Sequence, residues 1–321
     1  MVLQSYGRNI SYLRLSITDK CNLRCRYCMP EQGLPSKGHN QLLRVEEMAR
    51  LLRLFRALGI NKLRITGGEP LVSRRLYPLL EAAMPLGFSD ISLTTNGQLL
   101  AQEAAKLKAA GVQRLNISLD TLQPERFAWI SRGGNLADTL NGIDAALAAN
   151  FNPVKVNCVV VRGYNDDDIE AIANLAKDKP LGVRFIEFMP IGEDSLWDES
   201  NFFSLNQAKE RIAKLGKLMP CKLPGSGPAE VYQIDGFRGS VGFIAAISGH
   251  LCPNCNRLRL TSDGKLYPCL HSDLYLDLLE PIRAEASDAE LELLIRQAVG
   301  QKPLQHEKWG SQKRDMNRLG G

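Results

Sequence analysis

Short apolar runs alternate along the chain with longer stretches of helical period. Six runs read as strands: YLRLSIT (12–18), KLRITGG (62–68), DISLTTN (90–96), RLNISLD (114–120), VKVNCVVV (154–161) and GVRFIEFMP (182–190). Between them the spacing predicts helices such as VEEMARLLRLFRALG (45–59) and AQEAAKLKAAG (101–111), each closed by a glycine at the C-cap. Strand–helix alternation at this interval argues for parallel β/α units. Six units make an incomplete version of the eight-unit barrel, so the expected class is α/β with an incomplete (β/α)6 TIM-type barrel; a doubly wound sheet is the other architecture. The pattern changes near residue 197, where GSGPAEVYQIDGF and RGSVGFIAAI suggest antiparallel strands. The expected division is a partial barrel over 1–196, a smaller domain over 197–300 and a polar, basic tail over 301–321.

Strands of a parallel barrel are covered on both faces and usually read as continuous apolar runs. Several of these alternate instead. Arg14, Ser16 and Thr18 share one side of the first strand, Arg64 and Thr66 of the second, Asn116, Ser118 and Asp120 of the fourth, and Lys155 and Asn157 of the fifth. Either these sides face bulk water, or they line the cavity of a closed sheet. In a cavity, buried Arg14, Arg64 and Lys155 would require a compensating anion. A phosphorylated nucleotide fits.

Composition narrows the setting. The chain has 321 residues, 44% hydrophobic and 23% charged, as in an ordinary globular protein. No apolar run reaches the length of a membrane span, and the first twenty residues lack the apolar core of an export signal. The expectation is a cytoplasmic protein that does not engage a membrane. Its net charge of +5 suits a small anionic ligand at least as well as nucleic acid, and no basic run with interleaved aromatics points to nucleic acid.

Eight cysteines in a cytosolic chain read first as metal ligands or reactive thiols. Cys21, Cys25 and Cys28 form C-x3-C-x2-C directly after the first strand, where β/α barrels place their chemistry. Such spacing suits zinc or an iron–sulfur cluster. Zinc would need a fourth protein ligand, and the nearest histidine is His39; a 4Fe–4S cluster on three cysteines keeps one iron open. Cys252, Cys255 and Cys269 form C-x2-C-x13-C, where His250 or His271 could close a zinc site, and spacing alone favours zinc there. The following NRLRL sets Arg257 and Arg259 on one side of an extended segment, suited to phosphate or a purine edge. Cys158 and Cys221 fall outside both patterns and read as ordinary thiols.

The first cysteine motif, with Tyr27 before its last cysteine, and GGEP at 67–70 resemble the radical S-adenosylmethionine (SAM) superfamily. That resemblance implies that SAM completes the open iron and is cleaved reductively to a 5′-deoxyadenosyl radical. Gly67 and Gly68 would let the backbone approach the methionyl part of SAM. Across nearly the whole chain, both cysteine sets together with RITGGEP, TTNG, NISLD, KVN, IEFMP, NRLRL and the terminal Gly320-Gly321 are similar to the GTP 3′,8-cyclase family.

The likeness implies a lyase with two 4Fe–4S clusters, one on Cys21, Cys25 and Cys28 and one on Cys252, Cys255 and Cys269. SAM would contact Tyr27, Gly68, Ser118 and Met189. GTP would contact Arg14, Arg64, Thr95, Lys155, Arg257, Leu258 and Arg259. The implied reaction abstracts hydrogen from ribose C3′ and closes the carbon radical onto C8 of the guanine, giving (8S)-3′,8-cyclo-7,8-dihydroguanosine 5′-triphosphate, at the first step of molybdenum cofactor biosynthesis. No side chain is implied as acid or base. Implied partners are GTP, a small electron-transfer protein, the downstream cyclic pyranopterin monophosphate synthase and a second copy of the chain. The terminal Gly-Gly would reach toward the active site. Two other classes remain open from sequence: a radical SAM maturase acting on a peptide, and a non-enzymatic zinc or nucleotide-binding module.

Overall fold

A computed structural model describes residues 2–35, 37–191, 198–222, 227–249, 251–305 and 316–319. Its strands are β1 (Gln4–Ser5), β2 (Arg8–Asn9), β3 (Tyr12–Ser16), β4 (Lys62–Thr66), β5 (Asp90–Thr95), β6 (Arg114–Ser118), β7 (Val154–Val160), β8 (Leu181–Glu187), β9 (Leu218–Pro220), β10 (Glu230–Ile234), β11 (Ser240–Ile244), β12 (Arg257–Leu260), β13 (Lys265–Tyr267) and β14 (Leu276–Asp277). Helices α1 (Val45–Ala57), α2 (Leu76–Ala83), α3 (Leu100–Ala109), α4 (Pro124–Ser131), α5 (Leu136–Ala148) and α6 (Ile169–Asp178) connect the central strands. Then follow α7 (Leu205–Ile212), α8 (Leu279–Arg283), α9 (Asp288–Gly300) and α10 (Met316–Leu319).

The six strands expected from sequence are all present, as β3 to β8, and pair parallel in chain order. They form the centre of a 12-stranded sheet of order β14-β13-β12-β3-β4-β5-β6-β7-β8-β11-β10-β9. The segment after residue 197 does supply the expected antiparallel pair, β10 with β11. It also adds two parallel strands: β12 lies against β3, and β11 against β8. The C-terminal segment therefore extends both edges of the same sheet. The expected boundary at 196–197 lies outside the described residues, as does the Gly320-Gly321 terminus.

Local chemistry explains the connections. The apolar stripe of α1 buries Met48, Leu51, Leu52, Leu54 and Phe55, and its first turn is capped where the Arg44 amide donates to the Glu47 carboxylate at 2.7 Å. Helices α1 and α3 end as predicted, with Gly59 and Gly111 at φ +94° and +86°, a region other residues enter at a cost. One side of each central strand, carrying Leu13, Leu63, Leu93, Leu115, Val156 and Phe185, belongs to a single apolar core.

The other side carries the alternating polar residues, and it does not face bulk water. Arg14 is 8% exposed, Asn116 0% and Lys155 1%. The cross-strand register makes Arg259, Arg14 and Arg64 direct neighbours on three adjacent strands. Cations at adjoining positions, Arg14 and Arg259 buried and Arg64 half-buried, repel strongly, so this face is arranged around something else.

Candidate active site

Side chains from β3, β4, β5, β6, β7 and β8 line one cavity of about 310 Å³, and all six motif cysteines lie on its wall. The first set occupies the loop after β3. The Gly68 amide donates to the Thr18 carbonyl and the Glu69 amide to the Lys20 carbonyl, both at 2.8 Å. A Cβ on Gly68 would fall 2.3 Å from the Lys20 carbonyl oxygen, and one on Gly67 2.5 Å from that of Thr18. The two glycines thus seat the cysteine loop itself. On its other side the loop is tied to α4 through the Arg24 amide to the Ser131 carbonyl at 3.0 Å and the Arg26 amide to the Ile130 carbonyl at 2.9 Å. The Tyr27 hydroxyl donates to Asp120 Oδ2 at 2.6 Å.

Burial raises the Cys21 thiol, and it raises Cys25 well above its ordinary value, with Cys28, Asp120 and Cys21 adding like charge. Three thiolates so placed need a cationic partner, which an iron–sulfur core supplies. The donor set fits such a group.

The second set differs electrostatically. Burial alone would raise Cys255, but the charges of Arg257 and Lys302 overcome it and bring the thiol down to about 6. A ready thiolate is what a thiophilic metal centre takes. Of the proposed fourth ligands, His271 lines the cavity and His250 lies outside the described residues. Among the described residues no three His, Cys, Asp or Glu side chains are gathered to hold a single metal ion.

The wall of the cavity is also cationic. Burial and the like charges of Arg259 and Arg64 hold Arg14 well below its ordinary value. Burial, then Arg257, brings Arg259 to about 9; burial, then Arg64 and Arg114, brings Arg184 to about 10. Lys155 falls to about 6 through burial and the charges of Arg184, Arg114 and Arg64. Arg64 Nε, Arg184 Nε, Thr94 Oγ1 and Asn157 Oδ1 are buried on this wall without a hydrogen-bond partner. Such groups persist where a polar ligand completes them.

Residues 15–176 match the Radical SAM superfamily and residues 181–308 match Molybdenum Cofactor Synthesis C. A GTP 3′,8-cyclase of Heliobacterium modesticaldum is 47% identical, covering 100% of both chains. One from Moorella thermoacetica is 48% identical over 99% of each. The chain belongs to the GTP 3′,8-cyclase family.

It is accordingly a radical SAM enzyme that cyclises GTP at the first step of molybdenum cofactor biosynthesis, with 4Fe–4S clusters and SAM as cofactors. Among solved structures, Streptococcus suis SuiB bound to S-adenosylmethionine superposes with TM-score 0.61 at 15% identity, over 91% of this chain and 69% of that one. Native anSMEcpe with bound AdoMet gives 0.58 at 16%, over 88% and 80%. At such identities they show the radical SAM fold alone. The peptide-maturase reading is not favoured beside full-length cyclase relatives.

Set against a GTP 3′,8-cyclase, the sequence-derived residues divide into groups. Tyr27, Gly68, Ser118, Met189, Arg14, Arg64, Arg257 and Arg259 all line the cavity; Met189 packs against the cluster of Ile191, Tyr267 and Leu319, and Arg257 and Arg259 interact with Cys255 and Cys269. Thr95 also lines it, but its hydroxyl donates to Glu69 Oε1 at 2.9 Å and accepts from the Gly97 amide at 3.1 Å. Leu258 is 0% exposed, packs in the apolar core on the reverse of β12 and is not on the cavity wall. Lys155 is buried in the same cation group without appearing on the cavity wall.

Sequence reasoning passed over Arg184 and Glu69. Arg184 had a signal: V-R-F in β8 alternates as L-R-L does in β3. Glu69 is 1% exposed and accepts from the Leu71 amide, the Asn96 amide and Thr95, so it fixes the loop after β5 behind the cysteine loop.

Proposed function

We propose that Cys21, Cys25 and Cys28 hold the SAM-binding 4Fe–4S cluster, that Cys252, Cys255 and Cys269 hold a second one facing GTP, and that the central strands form an incomplete (β/α)6 barrel. The observation that carries this is the single cavity whose wall includes both cysteine sets and Arg14, Arg64, Arg184, Arg257 and Arg259. Side chains from six successive parallel strands reaching one cavity support a curved rather than a flat sheet. The clusters and SAM supply the radical chemistry when bound.

This chain's residues do the positioning. A triphosphate among Arg14, Arg64 and Arg184, with Lys155 behind them, relieves their mutual repulsion and completes the Nε groups of Arg64 and Arg184. Tyr27 and Ser118 border the region assigned to SAM, with Met189 as an apolar wall. Anchoring the nucleotide at its phosphates and at its base leaves the ribose between the two ends, which supplies the orientation that an intramolecular closure needs. Arg257 and Arg259 serve the base-proximal end, with Leu258 between them anchoring β12 to the core. The Arg259 guanidinium also donates to the Leu319 carbonyl at 2.9 Å, and Met316 lines the cavity, which supports a C-terminus that returns to the site.

The enzyme acts in the cytoplasm as a partial-barrel domain with a C-terminal substrate domain. It takes electrons from a small electron-transfer protein and passes its product to cyclic pyranopterin monophosphate synthase. Anaerobic incubation with SAM, dithionite and GTP, followed by product analysis, tests the reading. A 3′,8-cyclised nucleotide with release of 5′-deoxyadenosine is expected. SAM cleavage that stays independent of GTP, with no cyclised product, would refute it.

A further inference from the structure

Lys302 is 2% exposed, a rare state for a lysine. Its ammonium donates to the Arg257 carbonyl at 2.8 Å and the Pro268 carbonyl at 2.7 Å, and meets Cys255 Sγ at 3.4 Å. Those acceptors lie on the strand after the C-x2-C pair, on the residue before Cys269 and on Cys255 itself. One side chain thus joins segments that are distant in sequence but carry the same cysteine set. Cys252 is held from the other flank by Arg8, whose Nη1 donates to the Cys252 carbonyl at 3.0 Å and whose Nη2 donates to the Pro303 carbonyl at 2.8 Å. The Ser5 hydroxyl donates to the Lys302 carbonyl at 3.1 Å. The β1–β2 hairpin and residues 302–303 form one brace behind the second set.

A lysine that only cross-linked backbone could spend all its donors on oxygen. Here the third faces sulfur. Hydrogen bonds and positive charge at a ligating sulfur stabilise the reduced, more negative form of an iron–sulfur cluster and raise its potential. We propose that Lys302 is the positioning residue of the second cluster, holding the Cys255 and Cys269 segments together and setting that cluster's reduction potential through the Cys255 sulfur. The inference rests on assigning Cys252, Cys255 and Cys269 to a cluster.

The test compares anaerobically reconstituted wild type, Lys302→Gln and Lys302→Met by iron and sulfide content and by redox titration followed by electron paramagnetic resonance. The first cluster serves as an internal reference. Lys302→Gln keeps amide donors for the carbonyls but loses the charge, so the second cluster should shift to a more negative potential while the first stays put. Lys302→Met loses the carbonyl bonds as well and should release the second cluster selectively. A selective shift of the second cluster to more negative potential, or its selective loss, supports the role; a selective shift to more positive potential contradicts it. Two variants indistinguishable from wild type, or equal loss of both clusters, overturn it. Wild-type protein that binds only one cluster would overturn the two-cluster assignment instead.

Discussion

The Tyr27 hydroxyl sits 2.6 Å from Asp120 Oδ2 and joins the cysteine loop to the chain leaving β6. Asp120 is otherwise held by the Val159 amide at 2.8 Å, and burial lifts its pKa to about 6. Tyr27→Phe removes a donor from a buried carboxylate, which costs about 2 kcal/mol of stability. The lost bond favoured the ionised form, so the loss should be greater well above pH 6 than below it. Thermal unfolding of both proteins across that range checks the magnitude and its sign; a loss independent of pH would place the effect elsewhere.

Gly68 backs the cysteine loop, with no room for a side chain. In Gly68→Ala the loop must shift, because backbone on both sides cannot yield cheaply. The variant is expected to bind the first cluster poorly and keep the second. Iron content and the two paramagnetic signals report this directly.

Arg64 and Arg184 approach the cavity from β4 and β8, each with an unpartnered Nε. Replacing either by alanine removes a charge-assisted contact and should weaken GTP binding on the order of ten- to a hundredfold. SAM cleavage should persist, since the charges acting on Cys21 and Cys25 come from other residues. Calorimetric GTP affinity beside 5′-deoxyadenosine formation separates the two effects.

Lys155, brought to about 6, is largely neutral at pH 8 in the free protein. A triphosphate nearby favours its charged form and raises its pKa, so GTP binding should take up a proton there. Affinity should therefore increase as pH falls toward 6 and level off below it. Calorimetry in buffers of different ionisation enthalpy measures the uptake, which should vanish in Lys155→Met.

The strand alternation told more than composition did. Arg14, Arg64 and Lys155 stood out because a charge recurring every second residue is out of place in a doubly covered strand; Arg14 and Lys155 are buried, and Arg64 is half-buried on the cavity wall. Arg184 followed the same rule inside a more apolar run and was overlooked. Other features were not legible because they depend on distant segments. The pairing of β12 with β3 joins residues more than two hundred positions apart, and Lys302 gains its role only where α9 delivers it beside Cys255. Gly68 was expected to make room for SAM. Its neighbours are the carbonyls of the cysteine loop.

Titrating anaerobically reduced protein with SAM and then with GTP, while recording paramagnetic resonance, tests the two-cluster cavity most directly. SAM should perturb one signal and GTP the other; Cys25→Ala should abolish the SAM response and Cys255→Ala the GTP response. A GTP addition that leaves both signals unchanged, or a closed four-ligand metal ion at either cysteine set, would contradict the account.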